Sequence, residues 1–311
     1  MTIRNCLFVF LLASRSLAQM PQSIVITSAA SFQKGLPPKG SIGTAFCTGL
    51  QVQGLVSAAG FPLPRTLAGI SITVGGALAP IFSVAEGAGY QQINFQVPQE
   101  AMLNQQEGTW TIAVVQNGSR ITAQLATLQS PGDFFRIVSS FGAFQHAADF
   151  SLVTEQNPAQ SGEVLVGYLT GLPESRPEIP TGEATPLSPL FVVPQPNIAG
   201  MVDQFAVLLN GTVVANGCSV LNAPCQATSI LFLGLTPGTV GVYQVNFVVP
   251  ASIMSGNVTV QLQRSKCTNL FGTPCTGVAF SANAAAGCKS VGAGSAIQNV
   301  CTSEAVLLPV R

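Results

Sequence analysis

The stretch Gln92-Ile93-Asn94-Phe95-Gln96-Val97-Pro98 returns later in the chain as Gln244-Val245-Asn246-Phe247-Val248-Val249-Pro250. Each reads as a β-strand stopped by a proline, which has no N–H to give to the ladder. In the second copy Val245, Phe247 and Val249 fall on one face and Gln244, Asn246 and Val248 on the other, the period of two that marks a strand with one side against a core. Gly40 to Leu50 (GSIGTAFCTGL) likewise matches Gly162 to Leu172 (GEVLVGYLTGL), and the turn Gly75-Gly76 corresponds to Asn210-Gly211. One duplicated fold accounts for all three matches.

Around the first copy, strands are expected at Ser23 to Phe32, Ser41 to Cys47, Gly69 to Val74, Ala79 to Val84, Gln91 to Val97, Thr109 to Val115 and Arg120 to Leu128. Gly75-Gly76 and Asn117-Gly118 should close tight hairpins, because those turns need positive φ. Short strands at this spacing, with no sustained 3.6-residue period, predict an all-β chain of two tandem immunoglobulin-like β-sandwich domains, 19–129 and 130–311. Ser130 to Gln160 leads into the second domain, which is longer through insertions.

Charged residues make up only 8% of the chain, 12 basic against 12 acidic and scattered singly. Nucleic acid and anionic membranes need a concentrated basic footprint, so neither is an expected partner. At the start, Arg4, the apolar run Cys6 to Ala13 and the small residues Ser16 and Ala18 form a signal peptide, 1–18, with cleavage expected after Ala18. That run is far shorter than the roughly 20 residues that cross a bilayer. A secreted or extracytoplasmic protein with no membrane span in its mature part is expected.

Several segments together carry a family resemblance. They are Pro62-Leu63-Pro64 ahead of GISITVGG, YQQINFQVP, Pro131-Gly132-Asp133-Phe134, GAFQHAADFSLVTEQNPAQSGE and GLTPGTVGVYQVNFVVP. They resemble the acidobacterial family called the Solibacter uncharacterized C-terminal domain, itself similar to IPT/TIG immunoglobulin-like domains. The resemblance implies an exported bacterial module and brings no catalytic residue, metal or cofactor with it. The cysteine-rich insertions depart from the family pattern.

The search for chemistry is mostly negative. No nucleophile elbow, zinc-protease helix, phosphate loop or dinucleotide fingerprint is present. His146, the only histidine, excludes a multi-histidine metal site. Asp149 could orient it, but a structural role in a turn fits better. Asp133, Asp149, Glu155, Glu163, Glu174, Glu178, Glu183 and Asp203 could serve a hydrolase, yet no spacing selects a pair. Trp110 shares a face with Ile112 and Val114 and is expected in the core. Gln92, Asn94, Gln244 and Asn246 form a matching polar stripe in both domains. It reads as a binding or docking surface, or as amides satisfying nearby backbone at a sheet edge. The function expected is non-catalytic surface structure, adhesion or assembly with a protein or polysaccharide partner. A carbohydrate-binding module with an exposed aromatic platform and a hydrolase with an acidic cleft are the rivals.

The cysteines complete the pattern. Cys218, Cys225, Cys267, Cys275, Cys288 and Cys301 all fall in the second domain, in insertions relative to the first. An oxidising compartment and the absence of Cys-x-x-Cys favour disulfides over zinc. Proximity favours Cys218 with Cys225, Cys267 with Cys275 and Cys288 with Cys301, while Cys267 with Cys301 and Cys275 with Cys288 would nest in the same insertion. Cys47 is left as a buried free thiol.

Overall fold

The computed structural model describes residues 23–128, 130–138, 140–172, 175, 177–193, 201–216, 230–269, 286–291 and 296–311. The expected signal segment, Cys218, Cys225 and Cys275 lie outside the described residues, as does the side chain of Cys267.

In the first half, β1 (Ile24–Ser28), β2 (Ile42–Cys47), β3 (Leu55–Ser57), β4 (Ile70–Val74), β5 (Ala77–Leu78), β6 (Ile81–Glu86), β7 (Gln91–Gln96), β8 (Trp110–Gln116) and β9 (Ser119–Leu125) follow in order. They build two antiparallel sheets, β1-β2-β7-β6-β3 and β5-β4-β8-β9. The inward side chains of both sheets, among them Ile26, Ile72, Phe95, Ile112 and Trp110, fill one apolar core. Strand β1 ends at Ser28, short of the expected Phe32. The chain turns there, with the Phe32 N–H donating to the Ser28 carbonyl at 3.1 Å.

The second half begins with β10 (Asp133–Phe134), β11 (Arg136–Val138), β12 (Phe141–Gly142), β13 (Phe144–His146) and β14 (Val164–Thr170). It continues with β15 (Met201–Leu209), β16 (Thr212–Asn216), β17 (Phe232–Leu235), β18 (Tyr243–Val248), β19 (Gly256–Asn269), β20 (Gly287–Val291), β21 (Ala296–Thr302) and β22 (Val306–Val310). One sheet runs β10-β14-β18-β17 with β13 also on β14, and the other contains the run β22-β19-β15-β16. They enclose a second core that includes Phe134, Phe144, Phe205 and Phe247. Gly167 makes room for it, since a Cβ there would stand 2.6 Å from the Phe144 ring and 2.9 Å from that of Phe134.

The strands that carry the repeated segments pair in the same register. Ile42 pairs with Gln96, Thr44 with Asn94 and Phe46 with Gln92. Val164 pairs with Val248, Val166 with Asn246 and Tyr168 with Gln244. The hydrogen bond from Gly40 N to Val97 O, 2.8 Å, recurs from Gly162 N to Val249 O at 2.8 Å. Gly75 and Gly76 take φ of 52° and 83°, and Asn210 and Gly211 take 46° and 73°, as tight hairpin turns require. Where β8 turns straight into β9 at Asn117-Gly118, β19 instead runs on to pair with β21, which also pairs with β20. The cysteine-bearing insertion therefore grows from the end of a core strand.

The halves meet along a polar seam. Thr170 Oγ1 accepts from Ile42 N at 2.9 Å and donates to Gly241 O at 2.9 Å. Gln96 Oε1 accepts from Gly182 N at 2.7 Å, and Leu63 N donates to Gly182 O at 2.9 Å. Asp133, 2% exposed, accepts from Ser31 Oγ at 2.8 Å and Ser130 Oγ at 2.9 Å. Burial raises its pKa above the ordinary value, against those serine hydrogen bonds.

Candidate functional site

Alternation along β2 and β7 sends Ala45, Ile93 and Phe95 into the core and leaves Phe46, Gln92 and Asn94 on the outward face. There Gln92 Nε2 donates to Asn94 Oδ1 at 3.0 Å, Asn94 Nδ2 donates to Ser83 Oγ at 3.1 Å, and Thr44 Oγ1 donates to Asn94 Oδ1 at 2.9 Å. The second half repeats the motif, with Gln244 Nε2 donating to Asn246 Oδ1 at 3.2 Å. These amides do not sit at a sheet edge bonding backbone. β7 and β18 are inner strands, whose main-chain groups are already paired on both sides, so the amides bond side chains instead.

Aromatic rings flank the polar stripe, a feature that sequence reasoning missed. The Phe46 ring stands 6.3 Å from that of Phe32 and 5.6 Å, edge-on, from that of Tyr90. Phe32 is 53% exposed and Tyr90 39% exposed. Phe32 takes φ of 57°, a left-handed conformation that costs a bulky L-residue about 1–2 kcal/mol. Phe150 repeats it at φ of 58° and 64% exposure. Its turn has the same hydrogen bonds: Phe150 N donates to His146 O at 2.9 Å, and His146 N to Ser151 O at 3.0 Å, where Ser28 N donates to Gln33 O at 3.0 Å. The matching tetrapeptides Ala29-Ala30-Ser31-Phe32 and Ala147-Ala148-Asp149-Phe150 were the signal available in the sequence.

His146 closes β13, and its partner is Glu163 rather than Asp149. Its Nδ1 lies 2.8 Å from Glu163 Oε2 and its Nε2 3.3 Å from the Asn157 carbonyl. Asp149 instead accepts from its near neighbour Ser151 N at 2.9 Å, which turns its carboxylate into the loop. Both ring nitrogens of His146 thus face acceptors, and only the imidazolium can donate to both. Burial would lower the pKa, but the Glu163 and Asn157 contacts outweigh it and hold it above the ordinary 6.5. A raised folded-state pKa gives stability that is complete below the unfolded value and lost as pH rises through the folded one. Urea midpoints measured from about pH 5 to 8 should therefore fall on the alkaline side, and Glu163→Gln should flatten that dependence. An unchanged profile in that variant would refute the ion pair.

The other expected residues fall as follows. Trp110 is 7% exposed, with its Nε1–H donating to Thr127 Oγ1 at 2.8 Å, as a core residue with one polar handle should be. Cys47 is free and fully buried, and burial pushes its pKa up to about 12. Cys288 and Cys301 are joined in a disulfide, which removes both nested alternatives. Among the described residues no group of three metal-ligating side chains occurs, and no helix is long and apolar enough to cross a membrane. A groove of roughly 600 Å³ opens between Gly287 and Cys288 on one side and Lys34 with Leu125 to Leu128 on the other.

No family model and no curated protein matches the chain. Among solved structures, an I-band fragment of titin is similar over 94% of this chain and 98% of its own, at 8% identity and a TM-score of 0.18. The C-terminal domain of the Streptococcus agalactiae AgI/II polypeptide BspA is similar over 93% and 100%, at 10% identity and a TM-score of 0.19.

Proposed function

We propose that this chain is an exported, non-catalytic protein of two tandem immunoglobulin-like domains of the IPT/TIG type, divided near residue 129. Its role is surface structure, adhesion or assembly. The observation that carries this reading is the shared register of β2–β7 and β14–β18, which repeats the Gln-Asn stripe, with an exposed phenylalanine in the matching turn of each half. Three carboxylates among the described residues are held by separate partners. Asp133 is bound by Ser31 and Ser130, Glu163 by His146, and Glu100 by Thr181 and Arg65. The domain type rests on the sequence resemblance, and export rests on the signal-peptide pattern.

The test uses protein recovered from the native cell envelope. Its intact mass should correspond to a chain beginning at Gln19, and it should release nothing from chromogenic ester, peptide and glycoside substrates. A mass retaining Met1 to Ala18 would overturn export. Turnover lost in Asp133→Asn or His146→Ala protein that remains folded would overturn the non-catalytic reading.

A further inference from the structure

We infer that the outward face of β2 and β7, with its counterpart on β14 and β18, binds an uncharged polysaccharide, one chain engaging both halves. The inference rests on the non-catalytic surface role and names its partner class.

Four observations carry it. The first is chemistry. A pyranose offers an apolar face ringed by hydroxyls, and it is recognised by aromatic rings beside groups that both donate and accept hydrogen bonds. Phe32, Phe46 and Tyr90 supply rings, and Gln92, Asn94 and Ser83 supply amides and a hydroxyl on the same face.

The second is charge. The ladder of Phe46, Gln92, Thr44, Asn94 and Ser83 contains no ionisable group. A charged ligand would lose hydration there and gain no counter-charge, whereas a neutral polyol loses only hydrogen bonds that the amides can replace.

The third is pre-organisation. The Tyr90 ring lies so close over Gly87 that a Cβ there would stand 2.6 Å from it, and its neighbour Phe46 meets it edge-on. Phe32 is presented to solvent by a turn that holds it at positive φ, against both its backbone preference and its apolarity. Strain kept at an exposed aromatic is the kind of outlier that points to binding. Gln92 and Asn94 fix one another, so little side-chain freedom remains to be lost on binding.

The fourth is repetition. Phe150 and Tyr168 stand where Phe32 and Phe46 do, and Gln244 and Asn246 repeat the amide pair. On β17, the Phe232 ring packs over Gly234, where a Cβ would be 2.8 Å from it, and Phe232 pairs with Asn246. A core needs none of these outward rings. Two equivalent faces in one chain let a long polymer bind more tightly than a short oligosaccharide, through effective concentration.

The experiment is affinity electrophoresis of the mature chain in native gels containing hydroxyethyl cellulose, amylopectin or galactomannan, with polygalacturonate as the charged comparison. Retardation by at least one neutral polymer is expected, and it should persist in high salt. Phe32→Gly and Phe150→Gly each remove a ring while suiting the left-handed backbone, so the fold should be retained. Each should weaken binding roughly tenfold or more, as loss of an aromatic anchor does, and reduce the advantage of polymer over oligosaccharide. Absence of retardation by every neutral polymer, retardation by polygalacturonate alone, or glycine variants that bind as the parent does would overturn the platform. None of these would touch the non-catalytic reading. Reducing ends released from a bound polymer would overturn that reading while leaving the platform standing.

Discussion

Phe247→Ala is expected to lower the unfolding free energy by about 3–5 kcal/mol, the usual cost of emptying a large aromatic site in a close-packed interior. Phe247 is fully buried on the inner face of β18, and its ring meets that of Phe144 edge-on with centroids 6.4 Å apart. Sheet on one side and sheet on the other leave its neighbours little room to collapse into the void, which places the cost toward the upper end. The repeat gives an internal control. Phe95 occupies the same position in β7 and is equally buried, so Phe95→Ala should cost a similar amount. The two side chains belong to different cores, and their effects should add to within about 0.5 kcal/mol if the halves unfold together. Urea titration of the single and double variants reads all three values. A loss below about 1 kcal/mol for Phe247→Ala would mean that the ring is not packed in the core as described.

The same pair of strands explains what could be read from the sequence. Val245, Phe247 and Val249 alternate with Gln244, Asn246 and Val248 because the sheet has a dry side and a wet side, and that contrast is written locally. The hairpin turns were legible for a similar reason, since Asn-Gly and Gly-Gly are the residues that tolerate positive φ. Phe32 was not legible. A phenylalanine after a β-branched run promotes strand, and the Ser28 carbonyl that captures its N–H is a competing turn that propensity does not register. The His146 partner was hidden differently. Asp149 is close in sequence but turned toward Ser151, whereas Glu163 is 17 residues away and arrives only when β14 pairs with β13. The outward aromatic rings were passed over because Phe usually fills cores, and only register decides which face a ring occupies.

Protein isolated under oxidising conditions should yield, on non-reducing peptide mapping, a peptide pair joining Cys288 to Cys301, with Cys47 as a free thiol that alkylates only after unfolding. The two bonded cysteines sit directly opposite one another in β20 and β21, with Cα atoms 4.0 Å apart. β20 needs such a link. Among the described residues its one strand partner is β21, and Gly287 to Ser290 are all exposed, so little apolar burial there holds it. An edge strand held by a single neighbour and little apolar burial is the first part of a sheet to open. Closing a loop of this size restricts the open state by about 3 kcal/mol, close to a hundredfold in an equilibrium constant. The gain should be local, because releasing β20 from β21 leaves the β19 to β22 ladder from Gly256 to Val260 intact. In a Cys288→Ser, Cys301→Ser variant, amide exchange across β20 should therefore quicken by roughly a hundredfold while exchange at Val258 and Val260 stays as it was. Cys47 behaves oppositely because it has no exposure and a thiol pKa pushed up to about 12, which leaves neither access nor thiolate for the reagent. Free thiols at Cys288 and Cys301 in that protein, or a bridge from Cys47 to either of them, would overturn this assignment.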